Sequence, residues 1–246
     1  ATIDVLARNG VEVMVPPAQG CCGGLAWHTG DLRAAQAFAR RNLDAFPADV
    51  DAIVTNAAGC GSAMHEYHLI LRGTPDEARA DAFRRRVVDV SVFLARIGLS
   101  APLADSGRRQ RIAYHDACHL GNAQGVRREP RELLQSIPGA ELFEIADAHL
   151  CCGSAGTYNL DQPETASSLG AQKARAVLTA LKTDPAGRLR HDDTGGTTKL
   201  TGTDMVATGN IGCMTQLQVH LAKLGSPLRV RHTMQVLRDA YAAGRG

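Results

Sequence analysis

The chain has 246 residues, 44% of them apolar, and a net charge of +2 made from interspersed charges of both signs. That is enough for one large or two ordinary domains with a buried core, and it excludes the single-sign basic field of a nucleic-acid binder or a polybasic membrane patch. Apolar runs fall far short of the roughly 20 residues of a bilayer span and the first residues lack a secretory pattern, so the chain reads as soluble and cytoplasmic, with membrane contact at most peripheral.

In chain order, Thr2 to Asn9 predicts a helix stopped at Gly10, and Val11 to Val15 a strand running into Cys21-Cys22-Gly23. Residues 31–45 predict a helix and Ile53 to Thr55 a strand, followed by Cys60 in the segment Asn56 to Cys60. Leu99 to Arg109, with Pro102 and Gly107, reads as a linker. The order then recurs. Arg111 to His115 predicts a strand leading to Cys118, residues 119–136 a helix, and Glu141 to Ile145 a strand running into Cys151-Cys152-Gly153. A helix starts at Pro163, whose ring suits a first turn, and extends through Leu178. Asp204 to Thr208 is the strand that delivers Cys213, and a last strand and helix cover Leu228 to Tyr241.

Short β-branched runs alternating with helices predict parallel sheets covered by helices. The expected fold is therefore α/β, with two tandem Rossmann-like βα repeats, pseudo-twofold related, over residues 1–105 and 106–246. Residues 183–203, rich in Gly, Thr and charge, stretch the spacing from Cys152 to Cys213 well beyond that from Cys22 to Cys60. They read as a surface insertion that is expected to be mobile. The first repeat opens on a helix, whereas the second has a strand and a cysteine before its equivalent helix. If the duplication is complete, that strand and a fourth thiol lie upstream of Ala1, and the chain is a truncated piece of a longer protein.

The seven cysteines fall into two sets that follow this repeat: Cys21, Cys22 and Cys60 in the first, and Cys118, Cys151, Cys152 and Cys213 in the second. An odd count without an export signal argues against a disulfide framework, and adjacent cysteines bond poorly to each other. Soft thiolates converging from strand ends suit zinc or an iron-sulfur centre, and the glycines beside them let amides approach the sulfurs. A single cysteine is more often a small buried hydrophobe, and it is the repeat that overturns this reading. His115, His119 and His149 could be ligands, but the favoured role for them is hydrogen bonding beside the site. Ser154 and Thr157 read as turn or cap residues, and Arg84 to Arg86 as a solvated face. The Gly-x-Gly-x-x-Gly fingerprint does not occur, so no flavin is expected on this chain.

Cys118, then Cys151-Cys152-Gly153, then Cys213 resembles the cysteine-rich CCG domain found in tandem in heterodisulfide reductase B subunits and flavin-linked dehydrogenase complexes. The stretches Leu150 to Tyr158 and Thr208 to Cys213 are most similar to glycolate oxidase iron-sulfur subunits, and Val11 to Gly23 and Asn56 to Gly61 agree with them. The resemblance implies an electron-transfer subunit in glyoxylate metabolism, with all seven cysteines as ligands of iron-sulfur centres of the 4Fe-4S kind. It also implies partner flavoprotein subunits that carry out the chemistry, and an N-terminal ferredoxin-like domain that this sequence lacks. Zinc in a purely structural role is the alternative. The chain departs from the heterodisulfide reductase pattern at Ala63 and Gln216, where that pattern ends in a further cysteine.

Overall fold

The computed structural model describes residues 1–105, 107, 109–183, 188–191 and 199–242. The chain divides into two compact units, one made of residues 2–101 and 119–129, the other of residue 1, residues 102–118 and residues 130–246. Both contain parallel strands flanked by helices, the expected α/β architecture.

The first unit runs α1 (Thr2–Arg8), α2 (Gly24–His28), α3 (Leu32–Ala45), β1 (Ile53–Thr55), α4 (Ala58–His65), α5 (Tyr67–Ile70), α6 (Glu77–Arg84), β2 (Val87–Asp89) and α7 (Val90–Ile97). Gly10 follows α1 at φ +79, a left-handed stop that suits glycine. Asp31 caps α3 by accepting from the Ala34 N–H at 3.0 Å. β1 and β2 pair in parallel from Ile53 opposite Val87 to Thr55 opposite Asp89. Their inner faces join Leu43, Tyr67, Ile70 and Phe83 in one core, with the Tyr67 and Phe83 rings stacked 5.5 Å apart. Arg84 and Arg85 both pair with Asp81, while Arg86 donates to the Pro47 carbonyl at 2.7 Å.

Val11 to Val15 is not a strand. The segment lies outside regular structure, with Glu12, Met14 and Val15 exposed, and it runs into Pro16-Pro17, which lack the N–H groups a ladder needs.

Asp89 ends β2 and caps α7: its carboxylate accepts from the Ser91 N–H at 2.8 Å and from the Ser91 hydroxyl. Burial raises its pKa; the Ser91 bonds pull it back down, and Glu129 pushes it up. A carboxyl raised in the fold stabilises the protein below its unfolded pKa of about 3.9, and this contribution is lost as pH rises through the folded value. Asp89→Asn keeps a capping oxygen. It is expected to unfold at the same or a higher urea midpoint than wild type at neutral pH and to lose this group's gain on acidification, as checked by urea titrations at pH 7 and in mild acid.

The second unit opens with β3 (Gln110–Tyr114). The single helix expected over residues 119–136 is instead a π-helical turn, His119–Ala123, and a separate α8 (Arg128–Gln135). Gly125 at φ +69 breaks the chain between them. Pro130 in the first turn of α8 could not donate to Val126 in a continuous helix, and its ring would strike that carbonyl. Then follow β4 (Ala140–Glu144), α9 (Tyr158–Asp161), α10 (Pro163–Lys182), β5 (Met205–Thr208), α11 (Ile211–Lys223), β6 (Arg229–His232) and α12 (Thr233–Ala242). The sheet has the order β4-β3-β5-β6 and is parallel throughout.

Its core packs Phe143, Val177, Leu181, Val206, Leu217 and Leu221. A Cβ at Gly170 would come 2.3 Å from the His220 ring, so a glycine lets α10 and α11 approach. Arg111 of β3 donates to both Asp204 oxygens, at 2.9 and 2.6 Å, and to the Leu181 and Lys199 carbonyls. Much of the insertion expected to be mobile, residues 184–187 and 192–198, lies outside the described residues. Of the rest, Thr183 bridges Leu189 in antiparallel fashion and the Arg190 guanidinium lies 4.5 Å over the Phe143 ring. Among the described residues, no helix is long and apolar enough to cross a membrane.

Candidate metal centre

In a parallel sheet all carboxyl ends share one edge, and three adjacent strands of the second unit send cysteine-bearing segments from it. β3 ends at Tyr114 and leads through His115 to Cys118; β4 leads to Cys151 and Cys152; β5 leads to Cys213. Cys152 and Cys213 are buried, while Cys118 and Cys151 are half-buried. The four thiols form a hydrogen-bonded series, Cys118 to Cys151 to Cys152 to Cys213. The first unit brings Cys21, Cys22 and Cys60 together in the same manner, through Cys22, with Cys21 and Cys60 exposed.

The local geometry repeats. Gly23 and Gly153 both adopt positive φ, +76 and +89, and donate their N–H groups to Cys21 Sγ at 3.4 Å and Cys151 Sγ at 3.3 Å. In the first turn the next amide, that of Gly24, donates to Cys22 Sγ at 3.5 Å, so successive amides serve successive sulfurs, an arrangement that favours negative charge. Cys60 and Cys213 each occupy the third position of a helix that follows a strand, α4 and α11, after Ala57 and Asn210 as N-caps. The first turn of a helix favours a thiolate. Asn210 Nδ2 also donates to Cys213 Sγ at 3.5 Å.

Neighbouring thiols are shifted in opposite directions. Cys151 is held far below the usual thiol range by hydrogen bonds from Cys118 and Cys152. Cys152 is driven far up by its bonds to Cys151 and Cys213 and by burial. Cys213 is lowered, by Cys152 first. In the first set, hydrogen bonding between Cys60 and Cys22 lowers Cys60 to about 7 and raises Cys22. Neighbouring sulfurs so close cannot all ionise unless a cation lies among them, and thiolate ligands supply that demand for a soft metal. The donor set therefore fits zinc or an iron-sulfur group.

Around the second set, Arg131 clamps Asp116 with bonds of 2.9 and 2.6 Å and lies 4.7 Å over the Tyr114 ring, which fixes the segment between β3 and Cys118. Lys173 of α10 is 2% exposed and donates to the Asp147 carbonyl at 2.5 Å. Desolvation lowers its pKa, against the pull of Asp147, Cys152 and Cys151. The sequence reading missed Lys173, although a signal was there: it lies on the same helical stripe as Gly170, Ala174, Val177 and Leu181. Of the flanking histidines, His115 faces the thiols, His149 is exposed, and the His119 ring lies 5.5 Å from that of His28. Thr157 precedes α9 and donates its hydroxyl to Asp161 at 2.8 Å, the turn role expected of it.

Parallel α/β units, each with a glycine-turned cysteine pair and a further cysteine in the first turn of a helix that follows a strand, define a class, and the sequence matches its family model, the CCG cysteine-rich domain, over residues 1–65 and 112–218. The chain belongs to that family. Among its relatives, a probable glycolate oxidase iron-sulfur subunit of Bacillus subtilis is 34% identical over 98% of this chain and 50% of its own length. The glycolate oxidase iron-sulfur subunit of Escherichia coli is 33% identical over 98% of this chain and 53% of its own length. A lactate utilization protein A of Geobacillus kaustophilus is 29% identical over 96% of this chain and 90% of its own length. The chain thus spans about half the length of the two glycolate oxidase subunits.

Proposed function

We propose that this chain is the electron-carrying part of an iron-sulfur subunit in a flavin-linked 2-hydroxy acid dehydrogenase, of the kind that oxidises glycolate to glyoxylate. The observation that carries the reading is the convergence of Cys118, Cys151, Cys152 and Cys213 at the carboxyl edge of one sheet. Those residues would hold one centre, and Cys21, Cys22 and Cys60 would supply ligands to another. An iron-sulfur group, when bound, takes up and passes on single electrons. The chain's own contribution is to bury two of the sulfurs, aim amides at them, and set Lys173 beside them as a countercharge. Hydride or proton removal from the hydroxy acid belongs to partner flavoprotein subunits in this reading, and the chain alone is not catalytic.

Lactate as the substrate is the second reading. It is favoured by the lactate utilization protein A, of which the match covers 90%. Copurification with a flavoprotein, followed by reduction with glycolate or lactate, separates the two.

The metal itself is tested on anaerobically purified protein by iron, acid-labile sulfide and zinc content, comparing wild type with Cys152→Ser. Iron with matching sulfide that falls by half or more in the variant is expected. Stoichiometric zinc without sulfide would replace the electron-transfer reading with a structural one.

A further inference from the structure

His115 is 2% exposed and has little freedom. Its N–H donates to the Ala207 carbonyl of β5 at 2.9 Å, and the next residue, Asp116, is held by Arg131. Neither Nδ1 nor Nε2 has a nitrogen or oxygen partner, the ring bonding instead to the Cys213 thiol, and the Thr208 hydroxyl, at the end of neighbouring β5, is buried and unpartnered. Leaving a buried polar group unsatisfied costs about 1–3 kcal/mol, and a thiol is only a weak hydrogen-bond partner, so a ring fixed in this state favours a stronger one at the same place. What it faces are two thiols: a ring nitrogen, Cys152 Sγ and Cys213 Sγ all lie within 4.8 Å of one another.

This spacing discriminates. Ligands sharing one tetrahedral ion, with nitrogen at about 2.0–2.1 Å and sulfur at about 2.3 Å from it, stand a little under about 4 Å apart. Thiolates bound to different irons of a cubane stand further apart. The three donors can therefore reach one metal centre with small side-chain movements, and an imidazole supplies a lone pair without adding negative charge to a buried site.

We propose that His115 is a ligand of the centre in the second unit beside Cys152 and Cys213, so that its donor set is mixed histidine and cysteine. This rests on reading the thiols as metal ligands. A neutral imidazole in place of a thiolate leaves the site one charge less negative, which favours its reduced state.

The test uses anaerobically purified protein labelled with ¹⁵N-histidine, as wild type, His115→Ala, His115→Cys and Cys152→Ser. Pulsed electron paramagnetic resonance of the paramagnetic state is expected to show a directly bound imidazole nitrogen in wild type. That coupling should vanish in both His115 variants, with His115→Cys keeping its metal at a lowered reduction potential. If the metal is zinc, the absorption bands of the cobalt(II)-substituted protein read the same question, shifting between histidine and all-sulfur ligation in His115→Cys. Loss of metal in Cys152→Ser, with no histidine coupling in wild type or an unchanged spectrum in His115→Cys, would overturn the histidine ligand alone. No metal in wild type, or equal metal in Cys152→Ser, would overturn the metal reading and the proposal with it.

Discussion

Asp204→Ala should lower the unfolding free energy by about 3–5 kcal/mol, the cost of leaving a buried charge without its partner. The Asp204 side chain is 3% exposed and that of Arg111 14% exposed. Their two parallel bonds form a fork that a carboxylate matches and water does not easily replace. Asp204 also accepts from the Thr201 N–H at 2.6 Å, so the substitution orphans a backbone donor as well. The double variant Arg111→Met with Asp204→Leu removes both charges and should recover most of the loss, because exchanging a buried pair for apolar side chains is often close to neutral. Urea unfolding of the three variants checks this. A loss below about 1 kcal/mol for Asp204→Ala would show that the guanidinium finds other partners.

Gly153→Ala is the second large effect. The residue sits at φ +89, and an added Cβ would lie 2.3 Å from the Ala166 carbonyl oxygen in α10, a backbone atom that moves only with its helix. Conformational strain and overpacking, each about 1–3 kcal/mol, point to a combined cost of about 4 kcal/mol. Metal content should fall too, because the Gly153 amide lies on Cys151 and its backbone follows Cys152 directly. Gly225→Ala separates the two causes. That glycine has φ +66 with nothing within 4 Å of an added Cβ, so only the strain of about 1–2 kcal/mol applies. Equal losses in the two variants would rule out the clash.

Most strands were legible because each is a compact β-branched or apolar run whose neighbours are punctuated by glycine, proline or polar residues; Ile53–Thr55 matches to the residue. Val11 to Val15 has the same composition but no ladder partner among the described residues, and composition does not report partners. The break between the π-helical turn and α8 was written in Gly125 and Pro130 and was outweighed by the apolar spacing around them. That residues 119–129 group with the first unit has no local signal, since it depends on contacts such as Gln124 Nε2 with the Ala58 carbonyl at 2.9 Å, 66 residues away. The thiols were legible from their repeat. His115 was visible as a candidate, but its lack of a nitrogen or oxygen partner is a property of packing.

Arg111 has a further bearing on how this fold accommodates change. Its guanidinium holds the Leu181 carbonyl at the end of α10, the Lys199 carbonyl, and Asp204 just before β5. One side chain thereby ties together both ends of the stretch between α10 and β5. With the ends of a segment fixed at a common anchor, lengthening the chain between them costs only about 0.6 kcal/mol per doubling in closure entropy. Residues can be gained or lost there without disturbing the register of β3 and β5, and so without moving the sulfurs at the far end of those strands.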